Sequence, residues 1–158
     1  MSRIGQGFDA HRFQAGRKLV LGGVAIDSER GLLGHSDADV ICHAVCDALL
    51  GALALGDIGK HFPDSDMRYK GISSLILLEK VTEMVDSKGY WLGNLDIVVA
   101  AESPKISPYI LDMRNNIASS LGADLSQISV KATTTEGLGF TGRGEGIAVW
   151  AVALLNEK

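Results

Sequence analysis

Asp9 and His11, in the run Gly7-Phe8-Asp9-Ala10-His11, and His43, in a later apolar segment, are residue types that can together hold a metal ion. Alternate side chains of an extended strand share one face, so Asp9 and His11 point the same way and Ala10 is expected to turn inward. Around His43, the residues Val40, Ile41, Ala44, Val45, Ala48, Leu49, Leu50, Ala52 and Leu53 would cover nearly the whole circumference of a helix. The exceptions are Asp39, His43 and Asp47, which drift only about 80° around the axis and form one narrow polar stripe. Buried charge needs a partner or a metal. A lone helical histidine is usually a hydrogen-bonded core residue, but the Asp9/His11 pair turns the reading toward a ligand. One carboxylate and two imidazoles leave a fourth tetrahedral position open, as expected of a reactive rather than a structural zinc.

Other segments offer groups for anions. Gly34-His35-Ser36-Asp37 stands where the apolar helix is expected to begin, so free backbone N–H groups, the helix dipole, His35 and Ser36 would favour a negative ligand. Gly137-Leu138-Gly139-Phe140-Thr141-Gly142 fits the dinucleotide pattern G-x-G-x-x-G, but more glycines and a final strand come next where that pattern needs a helix. Its better partner is the preceding Lys131-Ala132-Thr133-Thr134-Thr135-Glu136, with three hydroxyls for phosphate oxygens and a carboxylate for a hard cation such as Mg²⁺. Asp57, Asp64 and Asp66 flank a stretch without periodicity and suit either a solvated turn or a polyol. Ala101-Glu102-Ser103-Pro104-Lys105 joins a strand to a helix, where backbone groups can read a base edge.

These side chains need a frame. Strands are expected at 2–11 and 17–26, the second interrupted by Gly22-Gly23, followed by a loop containing Gly31 and Gly34. The apolar helix is expected over 36–55, capped by Ser36 with Asp37 and Asp39 at its positive end. A mobile loop is expected over 60–71, a helix over 73–87, a strand over 90–101, and a helix from Ser107-Pro108 to Gly122. Strands at 127–134 and 146–155 complete the order. The pattern predicts an α+β fold, one domain over 1–158, with helices packed on one face of a mixed sheet.

Composition narrows the function. The chain has 158 residues and a net charge of -4, from 15 basic and 19 acidic residues with no basic run, which gives no nucleic-acid footprint. No apolar stretch approaches the ~20 residues of a bilayer span, and the first residues resemble neither a secretory nor a transit segment. A cytoplasmic protein is expected, with no membrane partner. Cys42 and Cys46 then read as small buried residues of a reducing compartment rather than a disulfide or a metal pair.

Assembled, the motifs resemble the 2-C-methyl-D-erythritol 2,4-cyclodiphosphate synthase family. The resemblance rests on Gly5-x-Gly7-x-Asp9-x-His11, Gly31-Leu32-Leu33-Gly34-His35-Ser36-Asp37-x-Asp39, His43, Asp47-Ala48-Leu49-Leu50-Gly51 and Leu55-Gly56-Asp57-Ile58-Gly59. It continues through Phe62-Pro63-Asp64-x-Asp66 and from Lys131 to Gly146. It implies a homotrimer with active sites between subunits, which cyclises 4-diphosphocytidyl-2-C-methyl-D-erythritol 2-phosphate with loss of CMP. By position it implies Zn²⁺, one per subunit, on Asp9, His11 and His43, and Mg²⁺ or Mn²⁺ on Glu136 with the substrate phosphates.

The same resemblance gives His35 and Thr134 the stabilisation of the transition state. It places Ser36, Asp57, Ile58, Gly59, Phe62, Asp64 and Asp66 toward the phosphorylated erythritol. Ala101, Pro104, Lys105, Ile106, Ser107, Thr133 and Thr135 would meet the CMP half. Phe8, Phe140 and Arg143 match residues around a central trimer cavity proposed to bind isoprenoid diphosphates, where Trp150 departs from the smaller or polar residue common there. Two alternatives stay open on the residues alone: a zinc hydrolase acting through zinc-bound hydroxide, and a non-catalytic nucleotide- or isoprenoid-sensing module.

Overall fold

A computed structural model describes residues 1–158. Its five-stranded sheet is ordered β4(Arg30–Leu32), β1(Ser2–Ala15), β7(Gly146–Glu157), β5(Tyr90–Ala100), β6(Ile128–Thr133). The pairs are antiparallel except β5 with β6, so the sheet is mixed as expected. The β5–β6 crossover carries α4(Ile110–Leu121), as a parallel pair requires.

One face of the sheet is covered by α1(Val40–Ala52), α3(Ser74–Ser87) and α4. Residues of alternating parity on β7 reach that core: Ile147, Val149, Ala151, Ala153 and Leu155 are fully buried. The opposite face is open and carries Ile4, Phe8, Trp150 and Val152. Ala10 belongs to this open face and is exposed, so the expectation that it turns inward is overturned. The inward direction belongs to Gly5, Gly7, Asp9 and His11.

The reason is the distance of α1 from β1. A Cβ added at Gly5 would stand 1.9 Å from the Ala48 carbonyl oxygen, and one at Gly7 would stand 1.9 Å from that of Ala44. Glycine on the strand and alanine on the helix let the two backbones nearly touch. The helix is buried almost all round, with Ile41, Leu49 and Leu50 at 1% exposure or less. Each such side chain contributes about 1.5–3 kcal/mol relative to exposure.

Several boundaries differ from expectation. The helix begins at Val40, not Ser36, because Asp39 takes the N-cap and accepts from the Ile41 and Cys42 N–H groups. Residues 17–26 form a hairpin of β2(Leu19–Leu21) and β3(Val24–Ile26), since both turn glycines take positive φ, 56° at Gly22 and 72° at Gly23. The Gly31 loop contains β4, where Gly31 packs flat against the Lys18 carbonyl. The 60–71 stretch includes the end of α2(Ile58–His61) and a 3-10 turn at Met67–Tyr69, each started by an aspartate cap. Ser107-Pro108 opens a 3-10 turn that runs into α4, and Gly122 ends that helix at φ 59°. A short α5(Gly139–Gly142) precedes β7.

Candidate active site

Asp9 and His11 leave β1 toward α1, and His43 leaves α1 toward β1. Asp9 Oδ2 lies 2.9 Å from His11 Nε2 and 3.1 Å from His43 Nδ1, and the two ring nitrogens are 3.2 Å apart. Donors about 2.1 Å from a common centre in a tetrahedron are separated by roughly 3.4 Å, so the three atoms already outline one face of a metal site. His11 is held from behind by a 2.6 Å hydrogen bond between its Nδ1 and the Leu33 carbonyl.

The electrostatics agree with a cation site. Burial would raise the Asp9 carboxyl, but hydrogen bonds from His11 and His43 outweigh it and hold the group well below the usual carboxylate range. Burial would likewise lower His11, and the hydrogen bond and charge of Asp9 reverse that and raise it. Asp9 is thereby kept as the carboxylate that a metal ion requires, with any proton on His11 to be displaced when the ion binds.

The third polar residue of α1 has different work. Asp47 accepts from the Ile58 N–H at 2.7 Å and ties α2 to α1. Asp39 is fully buried, yet it meets the N–H groups of Gly22 and Gly23 at 2.9 and 2.7 Å as well as its own helix. Its carboxylate therefore occupies the α1 N-terminus and takes the Ile41 and Cys42 N–H groups that an anion would have used. The expected helix-dipole anion site is overturned, although His35 and Ser36 still face the metal site. Cys42 and Cys46 are free, fully buried thiols, both pushed upward chiefly by burial.

The triad opens into a cavity of about 360 Å³ lined also by His35, Ser36, Ile58, Gly59, Phe62 and Asp64. Asp57 and Asp66 stand at its margin as caps, Asp57 accepting from Lys60 N–H and Asp66 pairing with Arg68. A separate cavity of about 410 Å³ is lined by Ala101, Pro104, Lys105, Ile106, Ser107, Thr133 and Thr134 with Glu102 and Ala132. Glu102 accepts from the Thr135 and Gly137 N–H groups, and Thr134 Oγ1 lies 3.4 Å from Glu136 Oε1. Glu136 sits at φ 53°, a left-handed conformation that turns the chain sharply beside Gly137. Phe140 borders a shallow depression next to His11 and Arg12, and Arg143 pairs with Glu145 at 2.8 Å.

The two cavities are not one site within this chain. Asp9 is level with Val149, Val149 with Val99, and Val99 with Ala132, so three strand spacings separate the triad from the threonine run. At ~4.8 Å per step that is about 14 Å, beyond the reach of Thr134 or Glu136. The sequence reading missed Ser74, which meets His43 from behind with Oγ 3.0 Å from His43 Nε2, and it missed that Asp37 holds Ser74 rather than the start of the helix. No periodicity marks them, because one lies in a turn and the other opens α3.

An open three-donor metal face over a polar cavity, with a separate hydroxyl- and glycine-rich loop at the far edge of the sheet, marks an enzyme for metal-assisted chemistry on a phosphorylated small molecule. Residues 2–156 match the YgbB family, and the chain belongs to that family. Relatives named 2-C-methyl-D-erythritol 2,4-cyclodiphosphate synthase from Syntrophotalea carbinolica and Geobacter sulfurreducens are each 62% identical over 99% of this chain, covering 96% and 99% of those proteins. The solved IspF of Plasmodium falciparum in a CDP complex is similar with a TM-score of 0.88 at 41% identity, covering 99% of this chain and 97% of that one. The bifunctional IspDF of Campylobacter jejuni gives a TM-score of 0.96 at 46% identity, and there the chain spans 43% of the larger protein. No helix is long and apolar enough to cross a membrane.

Proposed function

We propose that this chain is a 2-C-methyl-D-erythritol 2,4-cyclodiphosphate synthase, a phosphorus–oxygen lyase of the non-mevalonate isoprenoid pathway. The observation that carries this reading is the Asp9/His11/His43 face, with its fourth side open to the cavity of His35 and Ser36. An oxygen of the 2-phosphate forms a bond to the β-phosphorus of the diphosphocytidyl group. The bond from that phosphorus to the bridging oxygen breaks, and CMP leaves with the electron pair. No water is consumed and no general base is needed, because the phosphate nucleophile is already ionised.

The barrier is one anion approaching another, which costs about 1 kcal/mol per charge pair near 4 Å in water and ~4 kcal/mol at an effective dielectric of 20. Zn²⁺ on Asp9, His11 and His43, and Mg²⁺ or Mn²⁺ on Glu136, would supply the opposing positive charge and Lewis acidity when bound. His35 and Thr134 donate to the phosphate oxygens as charge builds on them. Ser36, Asp57, Ile58, Gly59, Phe62, Asp64 and Asp66 hold the erythritol side. The backbone from Ala101 to Ser107 with Thr133 and Thr135 holds the cytidine side, matching a relative described as a CDP complex.

The separation of three strand spacings, roughly 14 Å, between Asp9 and β6 supports a homotrimer in which the triad of one subunit meets Thr134 and Glu136 of its neighbour. The open sheet face, with the Phe8 and Trp150 rings tilted against each other at 5.1 Å between centroids, would then line the central axis, where an isoprenoid diphosphate would meet that aromatic pair. Incubation with the diphosphocytidyl substrate in ¹⁸O-water, followed by phosphorus NMR and mass spectrometry, should give CMP and an unlabelled cyclic diphosphate, abolished by a chelator. A labelled phosphorylated product would indicate a hydrolase, and binding without turnover would indicate a sensing module.

A further inference from the structure

The side of His43 that faces away from the metal donors carries a relay built into the core. Its Nε2 lies 3.0 Å from Ser74 Oγ and 3.1 Å from Ser36 Oγ. Ser74 is fully buried, and its hydroxyl lies 2.5 Å from Asp37 Oδ1 while its backbone N–H donates to Asp37 Oδ2 at 3.0 Å. A serine hydroxyl has one proton. Drawn to the Asp37 carboxylate, it leaves Ser74 Oγ with only lone pairs to offer His43.

Ser36 is the ambivalent neighbour. Its oxygen accepts from the Ala38 N–H at 3.1 Å, and its proton can go to His43 Nε2 or to Ser74 Oγ, 3.3 Å away. If it went to His43, the ring would carry its proton on Nδ1, the atom that faces Asp9 and His11, and that atom could bind no metal. With Ser74 as a fixed acceptor the proton belongs on Nε2. Every hydroxyl in the cluster then has a partner, and Nδ1 keeps its lone pair.

We propose that Ser74, oriented by Asp37, is a positioning residue of the metal centre: it accepts the His43 Nε2–H and holds the imidazole in the tautomer and orientation that present Nδ1 to the ion. Neither residue lines the cavity of the triad, so neither meets the substrate there. The inference rests on the reading of Asp9, His11 and His43 as metal ligands. Partners of this kind typically change metal affinity by ~10–100-fold.

The test uses the full-length protein, Zn²⁺ and Co²⁺ alone in competition with a chromophoric chelator, and long-range ¹⁵N–¹H NMR of the histidines in the Zn²⁺-loaded protein. Wild type should show His43 protonated on Nε2. Ser74→Ala, which keeps the backbone N–H to Asp37, should weaken both ions by about 10–100-fold, speed the solvent exchange of the His43 Nε2–H, and change the cobalt ligand-field spectrum. Ser74→Thr should restore all three. Asp37→Asn should move the same readouts in the same direction, which keeps the test decisive if Ser74→Ala folds poorly. Variants with wild-type affinity and wild-type exchange of the His43 Nε2–H would overturn the relay alone. Wild-type protein that binds neither ion would overturn the metal reading, and the relay's role in affinity with it.

Discussion

His43 serves the metal face with one ring nitrogen and the protein interior with the other, so its loss differs in kind from loss of a group near the substrate. His43→Ala leaves Asp9 and His11, two donors 2.9 Å apart that define only an edge of the site. Zinc affinity is expected to fall by more than ~100-fold, beyond the usual effect of an outer partner. Glu136→Gln, three strand spacings away, is expected to keep full zinc content and to weaken the response to added Mg²⁺. Metal analysis after gel filtration, with Mg²⁺ titrations of turnover, checks both; full zinc in His43→Ala would refute the ligand assignment. The triad was legible in the sequence because strand alternation joins Asp9 to His11 and a polar position in an otherwise apolar helix singles out His43. Asp37 and Ser74 were not legible, since nothing in local periodicity says that the start of α3 returns to the back of His43. Asp39 was legible as a buried charge needing partners, but the partners are N–H groups of the β2–β3 turn rather than a metal.

The closeness of α1 to β1 sets the depth at which His43 meets Asp9. Gly7 faces the carbonyl of Ala44, the residue after His43, so a methyl at position 7 pushes on the segment that carries the ligand. Gly7→Ala is expected to lower unfolding free energy by about 2–3 kcal/mol, an overpacking cost, and to weaken zinc binding with it. Gly51→Ala is the contrast: its added Cβ would meet nothing nearer than the Gln6 carbonyl at 3.7 Å, and removing a helical glycine should stabilise by roughly 0.5–1 kcal/mol. Urea denaturation with a chelator-competition titration reads both, and equal effects of the two substitutions would show that the interface is not tight. The long elements α1, α3, β5 and β7 were visible in the sequence because apolar periodicity over ten or more residues leaves little choice. The β2–β3 hairpin was half visible, through the strand at 17–26 broken at Gly22-Gly23, but β4 and α2 were not, because three or four residues carry no period and their places are fixed by Gly31 against Lys18 and by the Asp57 cap.

A single chain holds both halves of the chemistry but holds them apart. The metal donors sit on β1 and α1, whereas Thr134 and Glu136 follow β6 at the far edge of the sheet. In the proposed cyclic trimer one head-to-tail contact repeats, so each site would take its triad from one subunit and its threonine loop from the next. This arrangement makes a specific prediction for mixed assemblies. His43→Ala subunits lack the first half of a site, Glu136→Gln subunits are impaired in the second, and each homotrimer alone should be nearly inactive at limiting Mg²⁺. After dissociation and random reassembly at equal amounts, an intact site needs a Glu136→Gln subunit to supply the triad and a His43→Ala neighbour to supply the loop. That pairing occurs at about a quarter of the interfaces, so roughly 25% of wild-type turnover should return. Sedimentation equilibrium should show the same oligomer before and after mixing, which makes the recovery a property of shared sites. Mixtures no more active than the sum of their parents would place each site within one subunit and would require the loop after β6 to cross the 14 Å to the triad by itself.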